Sequence, residues 1–324
     1  MLLIEKEIDL KNINNIVFGG AGFIGSHLIE KLLKNGENVV CIDNLCTGRI
    51  SNLIHLKNNK NFFFINHNIL NHMSCKIPID KIWHLACPAS PKFYLKNQLF
   101  TIRTNYEGTL NILNLANNFN SKILFTSTSE VYGLTNQKPQ FEDMPITLQT
   151  YSPRACYSEG KRIAETLLNT YGEINKSEIR IARIFNTYGP RLGEDDGRVI
   201  NSFLYQAFNK EKLTINGDGS QTRSFCYVSD LINGLILLMK SDYSYPINLG
   251  NNYEISIIEL ANLIKNKINP KLNIEYQNLP IDDPKNRRPN IELAEKYLNW
   301  KPLVNLDEGL NKFIKFYKMS HELK

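Results

Sequence analysis

What this chain lacks narrows its chemistry before any motif is read. Six cysteines stand at 41, 46, 75, 87, 156 and 226, with no CxxC pair and no His/Cys cluster at zinc spacing. Neither a disulfide scaffold nor a metal centre is expected, and reduced thiols fit a cytoplasmic protein. The apolar run "LINGLILLM" (231–239) is far shorter than a membrane span, so no membrane insertion is expected. "MLLIEKEIDLKN" acquires charge before the core of a cleavable signal could form. There is no internal repeat and no low-complexity tract. Lys and Arg exceed Asp and Glu by 38 to 32, a net +6, yet the lysines are scattered. That balance suits a small anionic substrate, not a nucleic acid. Over 324 residues, 42% hydrophobic and 22% charged, the chain can build one large domain or two modest ones.

The first half alternates strand and helix patterns. "NIVFGG" and "NVVCIDN" are short apolar runs that end in turn residues. Between them "FIGSHLIEKLLKNG" has apolar positions at 24, 28, 29, 32 and 33 and a glycine stop. "NFFFINH", "KIWHLAC", "KILFTSTS" and "EIRIARIFN" continue the strands, and "TLNILNLANNF" reads as a helix. This rhythm predicts an α/β fold, a Rossmann-type doubly wound parallel sheet. After about residue 190, short strands ("KLTING", "SFCYVS", "YPINLG", "NIEYQ") mix with helices near 229–240, 256–267 and 306–318. A smaller α/β lobe beside the first, with a ligand cleft between them, is the expected arrangement.

"VFGGAGFIGS" holds Gly20-x-Gly22-x-x-Gly25, preceded by Gly19, after a predicted strand and before a predicted helix. In that context glycines serve a dinucleotide. Gly20 is expected at the tight turn, Gly22 at the approach of a pyrophosphate, and Gly25 at the helix–strand contact. Asp43 ends the second strand, where a carboxylate accepts from ribose hydroxyls and repels a 2′-phosphate. The expected cofactor is NAD. The rival reading is a glycine turn without a nucleotide, with Asp43 as a helix cap.

Tyr157 and Lys161, in "CYSEGKR", lie four residues apart and share a helix face. Beside a nicotinamide, an ammonium and the positive ring lower a phenol's pKa, and the phenolate can take a hydroxyl proton as hydride leaves. "LFTSTSEVYG" supplies hydroxyls at Thr126, Ser127, Thr128 and Ser129 at a strand's carboxyl end. A second pair, Tyr297 and Lys301, has no such neighbours, and Pro302 stops a helix from running through Lys301. His84, ending "KIWHLAC", reads as a structural hydrogen-bonder and not a base.

Together these residues resemble the extended short-chain dehydrogenase/reductase superfamily, and within it the UDP-glucuronate decarboxylases. The resemblance runs from about residue 15 to 318. It rests on "HLACPASP", "TSTSEVYG", "PRACYSEGKR", "RIFNTYGPR", "DDGRVI", "GDGSQTRSFCYVSDL" and "DDPKNRRP". It implies an NAD-binding domain over 1–190, with part of 224–255 returning to it, and a nucleotide-sugar lobe mainly over 191–324. It implies oxidation at the sugar C4, loss of the C6 carboxylate as CO2 from the 4-keto sugar, and return of the hydride, with no net redox change. The implied catalytic set is Tyr157, Lys161, Thr128 on O4, Ser129 and Glu130 around C5 and C6, and Arg287 as the cation at the carboxylate. The implied cofactor contacts are Gly19, Gly20, Gly22, Phe23, Ile24, Gly25, Asp43, Asn44, Thr47, Gly48, Leu85 and Thr104, with Tyr157 and Lys161. For the substrate they are Pro88, Ser90, Asn186, Arg198, Arg223 and Arg287. A homodimer through a four-helix contact, from helices near 100–118 and 154–172, is also implied.

Bland readings stand beside three of these roles: Glu130 as a local cap, Arg223 in a surface ion pair, Arg287 as solvated arginine in a Pro-bounded loop. The chain departs from the family pattern at Ser158, where Asp is usual, and at "PITLQTYS" (145–152), where W-G-x-V-N-P-I-G is usual. A related 4,6-dehydratase or 4-epimerase is the nearest alternative. A non-catalytic NAD-binding protein is the other, although it would not require Tyr157, Lys161 and Thr128.

Overall fold

In the computed structural model, which describes residues 2–133, 135, 138–146, 149–194, 196–278 and 286–322, seven parallel strands form the main sheet. They are β1 (Ile13–Phe18), β2 (Val39–Asp43), β3 (Phe62–Asn66), β4 (Ile79–His84), β5 (Lys122–Thr128), β6 (Ile179–Ile184) and β7 (Ile247–Leu249). Their spatial order is 7-6-5-4-1-2-3. A parallel sheet covered on both faces needs strands that are apolar on both sides, and β2, "VVCID", is buried at every position. Val17, Cys41, Leu124 and Ala182 face one core; Ile16, Phe18, Val40, Ile82, Phe125 and Ile181 face the other.

The first core is closed by α1 (Phe23–Lys34), through Leu28, Ile29 and Leu32. The second is closed by α2 (Gln98–Ala116), through Ile112 and Leu113, and by α3 (Ala155–Asn175), through Ala164 and Leu168. Five more helices follow: α4 (Val199–Phe208), α5 (Val228–Lys240), α6 (Ile257–Ile268), α7 (Glu292–Leu298) and α8 (Leu306–Glu322). Leu231 and Leu235 of α5 join the first core. A capping box starts α6: the Ser256 hydroxyl accepts from the Glu259 N–H, and the Glu259 carboxylate accepts in return. The left-handed Asn299 ends α7, so Tyr297 is helical while Lys301 lies beyond the helix, and that second Tyr/Lys pair does not share a face.

Short strands build the rest. Leu213–Asn216 pairs with Ile274–Gln277, and Thr222–Ser224 pairs on either side with Glu254–Ser256 and Asn286–Arg287. "SFCYVS" therefore divides, because Cys226–Tyr227 pairs elsewhere, with Thr187–Tyr188. Helices α4 and α7 were not anticipated from the pattern. Among the described residues, no helix is long and apolar enough to cross a membrane, no group of three His, Cys, Asp or Glu is placed to hold a metal, and all six cysteines are free.

A buried polar chain ties α3 to the sheet. Glu165 and Arg183 form a two-point ion pair, at 2.8 Å for Nη2–Oε2 and 3.1 Å for Nε–Oε1. The Ser127 hydroxyl donates to the same carboxylate, and Arg183 also donates to the Tyr132 hydroxyl and the Glu142 carbonyl. Removing one partner strands the other charge in a dry interior. Glu165→Ala should therefore destabilise the fold by about 3–5 kcal/mol, read from urea denaturation.

Candidate active site

The carboxyl ends of β1, β4 and β5 open on a cleft of about 540 Å³. It lies where the strand order reverses, between β1 and β4, as ligand clefts of open α/β sheets do. A recess of about 70 Å³ continues from Gly19 and Gly22 past Asp43, Asn44, Thr47, Gly48, Leu85 and Thr104.

The glycine loop has the shape expected, with one change of assignment. The left-handed turn falls on Gly19 (φ +78°), not on Gly20. Gly20 is a packing position: a Cβ there would meet Cys41 Sγ and Ile29 Cδ1 at 2.6 Å, and it borders neither the cleft nor the recess. At Gly25 a Cβ would come within 2.4 Å of the Gly19 carbonyl, so helix and turn can approach only through glycine. Gly22 begins α1 with no side-chain cap, and Gly22, Phe23 and Ile24 border the cleft. The first N–H groups of the helix are thus available to a phosphate.

Asp43 is no helix cap. Its Oδ2 accepts from the Ala21 N–H (2.9 Å) and its Oδ1 from the Leu45 N–H (2.8 Å), which braces the glycine loop against the end of β2. A carboxylate has lone pairs left after two such bonds, and this one borders the recess, so ribose hydroxyls can still be accepted. An open glycine cradle, a free helix N-terminus and a ribose-reading carboxylate fit NAD.

Tyr157 and Lys161 both border the cleft on α3. Lys161 Nζ donates to the Thr126 carbonyl at 2.8 Å and lies 4.4 Å above the centre of the Phe125 ring. The lowered phenol pKa is expected beside a bound nicotinamide, and the protein by itself pulls the other way. Burial, reinforced by Cys87 and Glu130, pushes Tyr157 well above the ordinary tyrosine value; a hydrogen bond from Thr128 and the charge of Arg198 pull it down by less. Desolvation of the phenolate outweighs both.

Ser129 and Glu130 begin a single turn after β5, and the Thr128 hydroxyl accepts from the Glu130 N–H. Arg287 Nη1 stands 3.6 Å from Glu130 Oε1, with both side chains largely buried against the cleft. Arg287 is thus no solvated loop residue, and Glu130 does more than cap. Arg223, 8% exposed, points into the cleft with Asn186 and Arg198, the last paired with Asp196 at 3.1 Å. Ser90 borders the cleft and Pro88 the recess. His84 is fully buried; its Nε2 meets the Thr109 hydroxyl at 3.0 Å, and burial lowers its pKa well below the ordinary value. Ser158 turns its hydroxyl back to the Arg154 carbonyl. Of the segment 145–152, Thr147 and Leu148 lie outside the described residues, as do Asp282–Lys285 of "DDPKNRRP".

Tyr94 is the residue the sequence reading missed. Its ring stacks on that of Tyr157, 4.8 Å between centres and 2° apart in plane, and its buried hydroxyl has no hydrogen-bond partner among the described residues. The available signal was Ser90-Pro91, an N-cap followed by proline, which announces the short helix Pro91–Tyr94.

The model of the GDP-mannose 4,6 dehydratase family matches residues 16–313. UDP-glucuronic acid decarboxylase 1 of Arabidopsis thaliana is 47% identical over 311 residues, 96% of this chain and 71% of that protein. The chain belongs to the UDP-glucuronic acid decarboxylase family. Decarboxylase 3 of the same plant is 49% identical over 300 residues, 92% of this chain and 87% of that one. Among solved structures, UDP-glucuronic acid 4-epimerase from Bacillus cereus, in complex with UDP-glucuronic acid and NAD, superposes with a TM-score of 0.85. It shares 29% identity and covers 95% of this chain and all of that one.

The site's selectivity can be tested at Asp43. The wild type should bind NAD far more tightly than NADP, since a 2′-phosphate would face a buried carboxylate. Asp43→Asn should narrow that ratio, as read by calorimetric titration of both cofactors.

Proposed function

We propose that the chain converts UDP-glucuronate to UDP-xylose and CO2, with NAD as a cofactor regenerated in each turnover. The carrying observation is the Glu130–Arg287 pair facing the same cleft as Tyr157 and Thr128. That one cleft offers both a base for a sugar hydroxyl and a cation for a carboxylate. Relatives at 47–49% identity that bear this activity's name support the reading. The proposed enzyme is cytoplasmic, with an NAD-binding domain of 1–190 and part of 224–255 and a nucleotide-sugar lobe in most of the rest.

Tyr157, as the phenolate, takes the proton of the C4 hydroxyl and becomes the phenol, while Thr128 hydrogen-bonds the reacting oxygen. Held by the glycine loop and Asp43, NAD would supply a reversible hydride acceptor for C4, and its positive ring would offset the cost of a buried phenolate. The C4 ketone turns the sugar into a β-keto acid. The C5–C6 bond then breaks, its electron pair passes into the ketone as an enolate, and CO2 leaves. Arg287 binds the departing carboxylate, and Ser129 and Glu130 line the C5 face, where a proton is added. Asn186, Arg198 and Arg223 hold the diphosphate; the planar guanidinium groups suit its oxygens. Lys161, fixed on Thr126, keeps Tyr157 in register with the strand end.

A 4-epimerase is the second reading, favoured by the superposition on an enzyme of that name. Proton NMR of the product separates the two, since UDP-galacturonate would replace UDP-xylose. Tyr157→Phe should lose on the order of a hundredfold or more in rate with NAD content unchanged. Near-normal turnover would remove Tyr157 as the base.

The proposed partner is a second copy. Leu99, Ile102 and Tyr106 form an exposed apolar stripe on α2, and Ile163 adds to it from α3. Pairing α2 and α3 with their symmetry mates would bury all four. Light scattering at micromolar concentration should report a dimer, and Leu99→Asp with Ile102→Asp should give a monomer.

A further inference from the structure

Arg287 is held in place partly by residues, Gln140 and Asn248, that border neither the cleft nor the recess. The strand carrying it lies along Thr222–Ser224, with Arg287 in register with Arg223. The three residues that follow it are gripped by Gln140. The Gln140 N–H donates to the Arg288 carbonyl (2.8 Å), Gln140 Oε1 accepts from the Arg288 N–H (3.2 Å), and the Gln140 carbonyl accepts from the Asn290 N–H (2.7 Å). Gln140 is 2% exposed.

Asn248, on β7 and fully buried, joins this grip to the other half of the ion pair. Its amide nitrogen donates to the carbonyls of Gln140 (3.1 Å) and Asn290 (3.2 Å), which uses both of its N–H donors. Its amide oxygen accepts from the Tyr132 hydroxyl at 2.6 Å. Tyr132 sits in the same turn as Glu130, Ser129–Tyr132. One amide therefore spans the segment that bears Arg287 and the segment that bears Glu130. The sheet anchors that amide, because Asn248 pairs with Arg183 between β7 and β6.

We infer that Asn248 and Gln140 are positioning residues that set Arg287 against Glu130 and thereby govern departure of CO2, leaving C4 oxidation to Tyr157, Thr128 and Lys161. The inference rests on the role proposed above for Arg287. Misplacing a group by about 1 Å can cost a hundredfold in the step it serves, without touching a step served elsewhere.

The test compares Asn248→Ala and Gln140→Met with Arg287→Ala in single turnovers of UDP-glucuronate. Gln140→Met keeps the shape and deletes only the amide's polar atoms, so it carries the test if Asn248→Ala does not fold. In both positioning variants, trapped CO2 should form roughly tenfold or more slowly. NAD content and the early rise in reduced-nicotinamide absorbance should stay within about twofold of wild type, and that absorbance should persist while a 4-keto sugar is released. Adding Asn248→Ala to Arg287→Ala should slow CO2 release little further, since both act through one group. Loss of both steps in parallel would overturn the inference, because it marks a merely structural role. Normal CO2 release in both variants beside a slow Arg287→Ala would overturn it too, while sparing the reading of Arg287. Normal CO2 release in Arg287→Ala itself would remove that reading and this inference together.

Discussion

The docking of one helix stripe on one strand end is what the rest of the molecule depends on. Residues 157, 161 and 165 of α3 recur every four positions and so lie along one face. Each meets β5 where it finishes: Tyr157 at the Thr128 hydroxyl, Lys161 at the Thr126 carbonyl, Glu165 at the Ser127 hydroxyl. Three consecutive strand residues thus fix the helix in rotation and in height. Slipping β5 by one residue would turn Thr126 and Thr128 to the opposite face and undo all three contacts together. The proposed chemistry at Tyr157 and the buried pair at Glu165 are two ends of the same attachment.

The sequence made much of this legible because its signals were local. Buried parallel strands show as short apolar runs, and all six assigned to the first half form strands of the main sheet. The Tyr157–Lys161 pair and its decoy were separable by one physical fact, that Pro302 and the left-handed Asn299 end the helix before Lys301. What local pattern could not give was anything decided by distant contact. Gly19 and Gly20 look alike in sequence; which takes the left-handed turn depends on Cys41 and Ile29 pressing against Gly20. The burial that works against the Tyr157 phenolate was not legible either, because burial is a property of the assembled cleft. Tyr94 and Asn248 carry no motif, and their importance comes from what stands opposite them, Tyr157 in one case and Gln140 in the other.

The same division applies to charge. A solvated loop residue remained a rival reading of Arg287, since nothing in "KNRRP" announces that Glu130, far back in the chain, will face it. Glu130 and Arg287 become a pair only because the end of β5 and the strand that carries Arg287 are brought to one cleft. A cleft built at carboxyl ends gathers such residues from many separate stretches of chain, which is why each is individually inconspicuous.

The position of β7 has a consequence for the order of biosynthesis. Among the described residues its only neighbour in the sheet is β6, which finishes at Ile184, while β7 begins at Ile247. As the chain leaves the ribosome, β6 must wait with an open edge until some sixty further residues have emerged, at about 5–20 residues per second. For those seconds the half-made protein presents an unpaired strand, the kind of edge that invites pairing with another chain. A nascent polypeptide halted between the two strands would be the form most in need of a chaperone, although the finished sheet keeps no trace of that exposure.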